Sequence, residues 1–433
     1  MFWLTIVLTV IFSTSLFYVI FLYYKRKEKS IRKVISSKLK FEGKHPKIKK
    51  FFAILLLLIL MGGIIFVFYN ISNRIAFYRQ VSGKAEWRVS NGQRYLYVEA
   101  DTHYDLGYNT GKALSYEIVK AKYLLIATGL VYGLSYLKME SMSKDYLDYI
   151  PNKYQREIEG MKDGATAGSG FSITFSDILI QTLFFEIIYG RFNPTSSAPF
   201  GCTDLGAKNN DNSIIIRQNV DIAKPFSLIH SFVLHKLNDD PLVFTYRLGG
   251  SLGFPTGKNE HGLNIVMNLV QTKIQAPLTT PIFVSVREGL ANCKNVDDFY
   301  GILFPENESP YSLNFLLADD TDIIALQALP NNISLLYPAT TIVQSNTYRD
   351  PLWQDNLVDK DYSKDRQEYA EDLIEEAYND NHIKNKELLK ILSDQPIICR
   401  NEEGIVGMKT IAFFTSESFG LGNSNGNIGS NPI

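Results

Sequence analysis

The stretch Gly201 to Asp221, GCTDLGAKNNDNSIIIRQNVD, constrains the fold of this chain more than any other. Two apolar runs flank the polar segment Asn209-Asn210-Asp211-Asn212. Such side chains bond their own backbone and tolerate left-handed dihedrals, so the pattern predicts a hairpin. Its strands are expected over Thr203 to Ala207 and Ile214 to Asp221. Strand period puts Arg217, Asn219 and Asp221 on one face. Cys202 then stands at a strand start, in a loop opened by Pro194 and Pro199, beside a second strand that ends in polar groups.

The front of the 433-residue chain has a different character. Residues 1–24 carry no charge, and neither does Phe51 to Tyr69, FFAILLLLILMGGIIFVFY. Each run is about 20 residues, the length that crosses a bilayer core. The alternative for the first is a cleaved signal peptide, but it lacks a basic leading region and a small-x-small cleavage site. Between the runs, Lys25 to Lys50 is strongly basic, with only Glu28 and Glu42 opposing. A basic run between two spans reads as a cytoplasmic loop. The expected layout is therefore a membrane helix over 1–24, a cytoplasmic loop over 25–50 and a second membrane helix over 51–70. A linker over 71–86, a domain over 87–420 and a flexible tail over 421–433 follow. Everything after Asn70 is then extracytoplasmic.

The overall net charge of -1 gives no reason to expect a nucleic-acid partner. Three cysteines, Cys202, Cys293 and Cys399, make no disulfide framework, although a Cys293–Cys399 pair stays open. Six scattered histidines show no metal-ligand spacing, so no metal or other cofactor is implied. The glycine-rich Gly164 to Gly170 is expected to precede a helix, but no Gly-Lys-Ser/Thr follows it as in a phosphate loop. Thr174 and Asp177 predict a cap for a helix over Ser176 to Tyr189. Gly249-Gly250-Ser251-Leu252-Gly253 matches G-x-S-x-G, a rival nucleophile. A serine elbow needs a strand, a turn and a helix, and no helical pattern begins after Gly253.

Several segments, in order, resemble the penicillin acyltransferase-like family of N-terminal-nucleophile cysteine hydrolases. They are Gly-Cys-Thr at 201–203 with Gln218-Asn219-Val220-Asp221, Tyr104 to Gly111, Glu157 to Ala165, and Gly257 to Asn268. Ser363-Lys364-Asp365-Arg366, Cys399-Arg400 and the strand around Thr410 continue the series. Ser345-Asn346-Thr347 departs from the family's Asn-His at Thr347. The resemblance spans roughly Trp87 to Phe414. It implies an α+β fold, a four-layer αββα sandwich, and self-cleavage at Gly201–Cys202.

It also implies residue roles. Cys202 is the nucleophile, Asp221 holds the freed ammonium, Asn346 is an oxyanion donor, and Arg400 sets the charge of the site or grips a carboxylate. Thr203, Gln218, Asn219 and Asn268 are supporting candidates. The substrate class is a small-molecule linear amide or acyl compound, taken by hydrolysis or acyl transfer. An α-amino group titrates near 8 and can take the thiol proton, which an intact Gly201–Cys202 amide cannot. A catalytically silent binding module on the same anchor is the alternative.

Overall fold

The computed structural model describes residues 81–90, 92–188, 200–254, 256–304, 311–358, 361–378, 381–402 and 408–418. They belong to one compact unit. The two apolar runs, the basic loop and the glycine-rich tail expected from the sequence lie outside them. Among the described residues no single helix is long and apolar enough to cross a membrane.

The unit opens with a hairpin, β1 (Lys84–Ser90) and β2 (Gln93–Ala100), where the sequence pattern indicates one strand after a linker. Gly92, at φ 79°, supplies the left-handed turn that splits it. Five helices follow: α1 (His103–Ala113), α2 (Ser115–Val131), α3 (Tyr136–Lys144), α4 (Asn152–Ser169) and α5 (Phe175–Phe185). The cap of α5 forms as expected. Asp177 N–H donates to Thr174 Oγ1 at 3.1 Å, and Thr174 N–H donates to the Asp177 carboxylate at 2.8 Å.

The glycine-rich segment is not a loop. Gly164 and Gly168 lie inside α4, which ends at Gly170 with φ 75°. The reason is the packing of α4 against α1. A Cβ at Gly107 would stand 2.0 Å from the Glu157 carbonyl oxygen, one at Gly160 2.0 Å from that of Tyr104, and one at Gly164 2.0 Å from that of Tyr108. The two helix backbones are in contact, and only glycine fits between them.

The remaining elements are β3 (Phe200–Lys208), β4 (Ile214–Ala223), β5 (His230–Leu237), β6 (Val243–Leu248), β7 (Thr256–Asn259), β8 (Asn264–Leu269), α6 (Ile282–Asn292) and α7 (Val296–Leu303). After these come β9 (Leu313–Ala318), β10 (Ile323–Leu329), β11 (Asn332–Leu336), β12 (Thr341–Gln344), α8 (Pro351–Gln354), α9 (Asp361–Ala377), α10 (Asn385–Leu392) and β13 (Met408–Ser418). Nine strands form one sheet in the order β1-β2-β5-β6-β7-β8-β9-β10-β11. Four form another in the order β12-β3-β4-β13. The fold is α+β, and every described strand pair but β2–β5 is antiparallel.

The β3–β4 hairpin decides how the layers stack. Opposed residues of an antiparallel pair share a face. Ile214, Ile216, Val220 and Ile222 of β4 join the main core, toward the nine-stranded sheet. Leu205, Ala207 and Ile215 form a second core with Ala370 and Ile374 of α9 and Leu388 and Leu392 of α10. The small sheet is thus buried on both faces, which is why its strands read as nearly continuous apolar runs. Helices α1 and α6 cover the other side of the large sheet, so the order is helix, sheet, sheet, helix.

The glycine contact gives a stability test. Gly164→Ala gains roughly 1 kcal/mol of helix propensity but forces α1 and α4 apart, an overpacking cost of about 1–3 kcal/mol or more. Thermal melts should show net destabilisation. An unchanged or raised Tm would mean the helices do not touch through their glycines.

Candidate active site

Cys202 sits near the start of β3, with only 7% of its surface exposed. Its register partner is Val220, and Gly201 faces Asp221 across the ladder. The face rule puts Cys202, Asp204 and Gln218 toward the large sheet, and Thr203, Asn219 and Asp221 toward the helices. The bonds agree. Gln218 Nε2 donates to the Met267 carbonyl on β8 at 2.9 Å, whereas Asn219 Nδ2 donates to the Leu392 carbonyl at the end of α10 at 2.7 Å. The Gly201–Cys202 peptide therefore lies between a thiol on one face and the Asp221 carboxylate on the other. A Cβ on Gly201 would stand 3.6 Å from Asp221 Oδ2 and 3.1 Å from Arg366 Nη1.

Asn346 and Arg366 close the site. Cys202 N–H donates to Asn346 Oδ1 at 2.7 Å. Arg366 Nη2 donates to the same oxygen at 2.7 Å and to the Cys202 carbonyl at 3.0 Å. Asn346 Nδ2 donates to the Leu269 carbonyl at 2.7 Å. The side chain thus presents its oxygen to Cys202 and gives one amide hydrogen to Leu269. Asn314 on β9 fixes the loop that carries Asn346, donating from Nδ2 to the carbonyls of Ser345 at 2.8 Å and Thr347 at 2.6 Å. Ser345 is tied to α9 as well, its Oγ donating to the Ser363 carbonyl at 2.7 Å.

Asp221 is fully buried and accepts a short hydrogen bond from Thr410 Oγ1 on β13. Burial pushes its carboxyl up to about 6, while Arg366, Thr410 and Arg400 pull it down. Arg400 lies one step further out. Its backbone N–H donates to Thr410 Oγ1 at 2.9 Å, and its guanidinium bonds Glu402. It acts on Asp221 through Thr410 and through its charge.

Burial raises the Cys202 thiol well above its usual range, and the charges of Asp204 and Asp221 add to that. Arg366 and a hydrogen bond from the Asp221 backbone oppose it. Asp204 is itself raised by burial, against Gln218, Arg366 and Asn268. Gln218 also accepts a short hydrogen bond from Thr256 Oγ1. Thr203 is buried toward the helices.

Sequence reasoning missed four participants. Asp204 follows Cys202 by two residues on the same face and was legible from strand period. Arg366 lies in the Ser363–Arg366 step, whose position alone does not place a side chain. Tyr246 on β6 has a buried phenol with no hydrogen-bond partner among the described residues, and the Cys202 charge raises it further. Asn314 has no local signal. Ser251 is 1% exposed and its Oγ accepts the Leu248 N–H, with no helix after it. It is a turn residue. Cys293 and Cys399 are both free.

The model of the family described as acyl-coenzyme A:6-aminopenicillanic acid acyl-transferase matches residues 207–418, just under half of the chain, starting beyond Cys202. Among solved structures, the chain is similar to a Caenorhabditis elegans N-acylethanolamine-hydrolyzing acid amidase ortholog. The identity is 16% and the TM-score 0.41, over 52% of this chain and 97% of that one. It is also similar to two mutant forms of conjugated bile acid hydrolase from Clostridium perfringens. Their identities are 14% and 13% and their TM-scores 0.39 and 0.38, each over 50% of this chain and 85% of that one. No curated protein matches the chain.

The raised Asp221 carboxyl makes a prediction about stability. Its folded pKa, about 6, exceeds the usual 3.8. Between these values the folded state holds the proton more tightly, so the group's contribution falls as pH rises through that window, by about 3 kcal/mol at most. Asp221→Asn removes this term and keeps an acceptor for Thr410. The variant should melt higher than wild type at pH 7 and close to it at pH 4. A lower Tm at pH 7 would show that the charged carboxylate is net stabilising.

Proposed function

We propose that this chain is a cysteine amidohydrolase or acyltransferase that matures by cutting its own Gly201–Cys202 bond. One observation carries the reading. The Cys202 N–H, the nitrogen that would become the α-amine, already sits on Asn346 Oδ1, with Arg366 bridging that oxygen and the Cys202 carbonyl. The match to the acyl-transferase family over residues 207–418 supports the same chemistry.

In the first step Cys202 Sγ attacks the Gly201 carbonyl carbon. Asp221, raised toward neutrality, takes up a proton. The C–N bond breaks, the nitrogen gains a proton and leaves as the Cys202 amine, and Gly201 is held as a thioester. Water then hydrolyses that thioester and restores the thiol. The free amine becomes the base that takes the thiol proton when a substrate amide binds. Sγ attacks the substrate carbonyl, the amine product departs with a proton, and the acyl group remains as a thioester on Cys202. Water or a second amine takes it. Asn346 Oδ1 orients the α-amine, its remaining amide hydrogen faces the oxyanion, and Asp221 and Arg366 balance the charge. Arg400 tunes Asp221 from outside.

As part of this reading, the two apolar runs of residues 1–24 and 51–70 anchor the chain in a membrane, with the catalytic unit on the extracytoplasmic side. The basic loop between them supports that orientation. Protease added outside intact cells should then digest the unit, and protection until lysis would reverse the topology.

A silent binding module is the second reading. The thiol's burial and raised pKa favour it, since an inert structural cysteine looks the same. Intact mass and N-terminal sequencing separate the two. Wild type should give two fragments, the second beginning Cys-Thr-Asp, and Cys202→Ala should give one chain. A single chain in both would favour the module. In the cut enzyme, Asn346→Ala should lower kcat about a hundredfold or more, as losing one oxyanion donor does.

A further inference from the structure

A pocket opens beside the Cys202 site. Phe185, Leu269, Val270, Ile274, Ile282 and Leu313 supply most of its wall. It adjoins the site through Leu269, whose carbonyl holds Asn346. On its other flank Phe185 packs on Phe254 at 5.6 Å between ring centroids, and Phe254 packs on Tyr246 at 5.1 Å. Thr272, Tyr311 and Ser312 add hydroxyls to the lining, and one carboxyl group stands in it, Glu186, just past the end of α5.

Glu186 has a structural task that uses half of it. Oε1 accepts the Ile282 N–H at 2.9 Å, at the start of α6. Oε2 is buried and has no hydrogen-bond partner among the described residues. Neither does Glu186 form an ion pair with any cation among those residues. Burial accordingly raises its carboxyl to about 7. A cap for α6 needs only one oxygen, and a glutamine would supply it. A buried carboxylate without a partner is costly, and a ligand that brings the missing donor recovers that cost.

We infer that this pocket is a substrate subsite for an aliphatic chain carrying a primary ammonium group, which Glu186 Oε2 binds. The apolar wall takes the methylenes, and the ammonium supplies both the hydrogen bond and the charge that Oε2 lacks. A neutral hydroxyl would satisfy the hydrogen bond alone and bind more weakly. The inference rests on the reading of Cys202 as an acyl-transfer centre and gives that centre a substrate class, amides with an amino-bearing chain.

The test measures binding and needs no turnover, so a failure of the Cys202 chemistry leaves its result standing. Full-length protein is titrated calorimetrically at pH 7 with n-hexylammonium and with 1-hexanol. The ammonium should bind at least about tenfold more tightly, the lower end for a charge-assisted hydrogen bond. Glu186→Gln, which keeps an acceptor for Ile282, should remove that preference. Ile274→Trp, which fills the pocket, should remove both. Equal affinities in wild type, a preference that survives Glu186→Gln, or binding that survives Ile274→Trp would each overturn the inference. If Glu186→Gln fails to fold, the wild-type pair of titrations decides alone.

Discussion

The guanidinium of Arg366 is the fixed point of the site. It is 1% exposed, comes from the helix layer, and reaches the carbonyl of Cys202 and the amide oxygen of Asn346. A planar donor fork can hold two acceptors at fixed angles, which a lysine cannot. The loop after β12, the start of β3 and the Asp221 end of β4 all converge on it. Without a buried cation there, the thiol and the raised carboxyls Asp204 and Asp221 would lose the one charge that pulls all three of them down.

Burial sets the chemistry of the intact chain. The thiol is raised by desolvation first and by the two carboxyls second. An amide nitrogen at residue 202 offers it no base. Under the proposed reading, a cut at Gly201 would supply one by turning that amide into an amine. The buried small sheet lines both faces of the Gly201–Cys202 peptide with protein.

The neighbouring pocket and the site share one residue. Leu269 lines the pocket and its carbonyl holds Asn346. A ligand that moves β8 at this end moves the side chain on which the Cys202 N–H rests. A single hydrogen bond, from Asn346 Nδ2 to the Leu269 carbonyl, joins the pocket wall to the Cys202 site.

Much of the fold was legible in the sequence, for local reasons. The Asn209–Asn212 turn specified the β3–β4 hairpin, strand period put Arg217, Asn219 and Asp221 on one face, and Thr174 with Asp177 specified a helix cap. Each depends on residues close together along the chain, where backbone geometry alone fixes who meets whom. Local pattern did not place Gly164 and Gly168 inside a helix, because only the contact with α1 shows why a helix keeps them. It did not bring Arg366 to Cys202 and Asn346, and it gave no sign of Tyr246, Asn314 or the lone carboxyl of Glu186. These residues come from strands and helices far apart in sequence. Side-chain chemistry is written in the sequence, but which groups share a desolvated space is settled only when the two sheets close on each other.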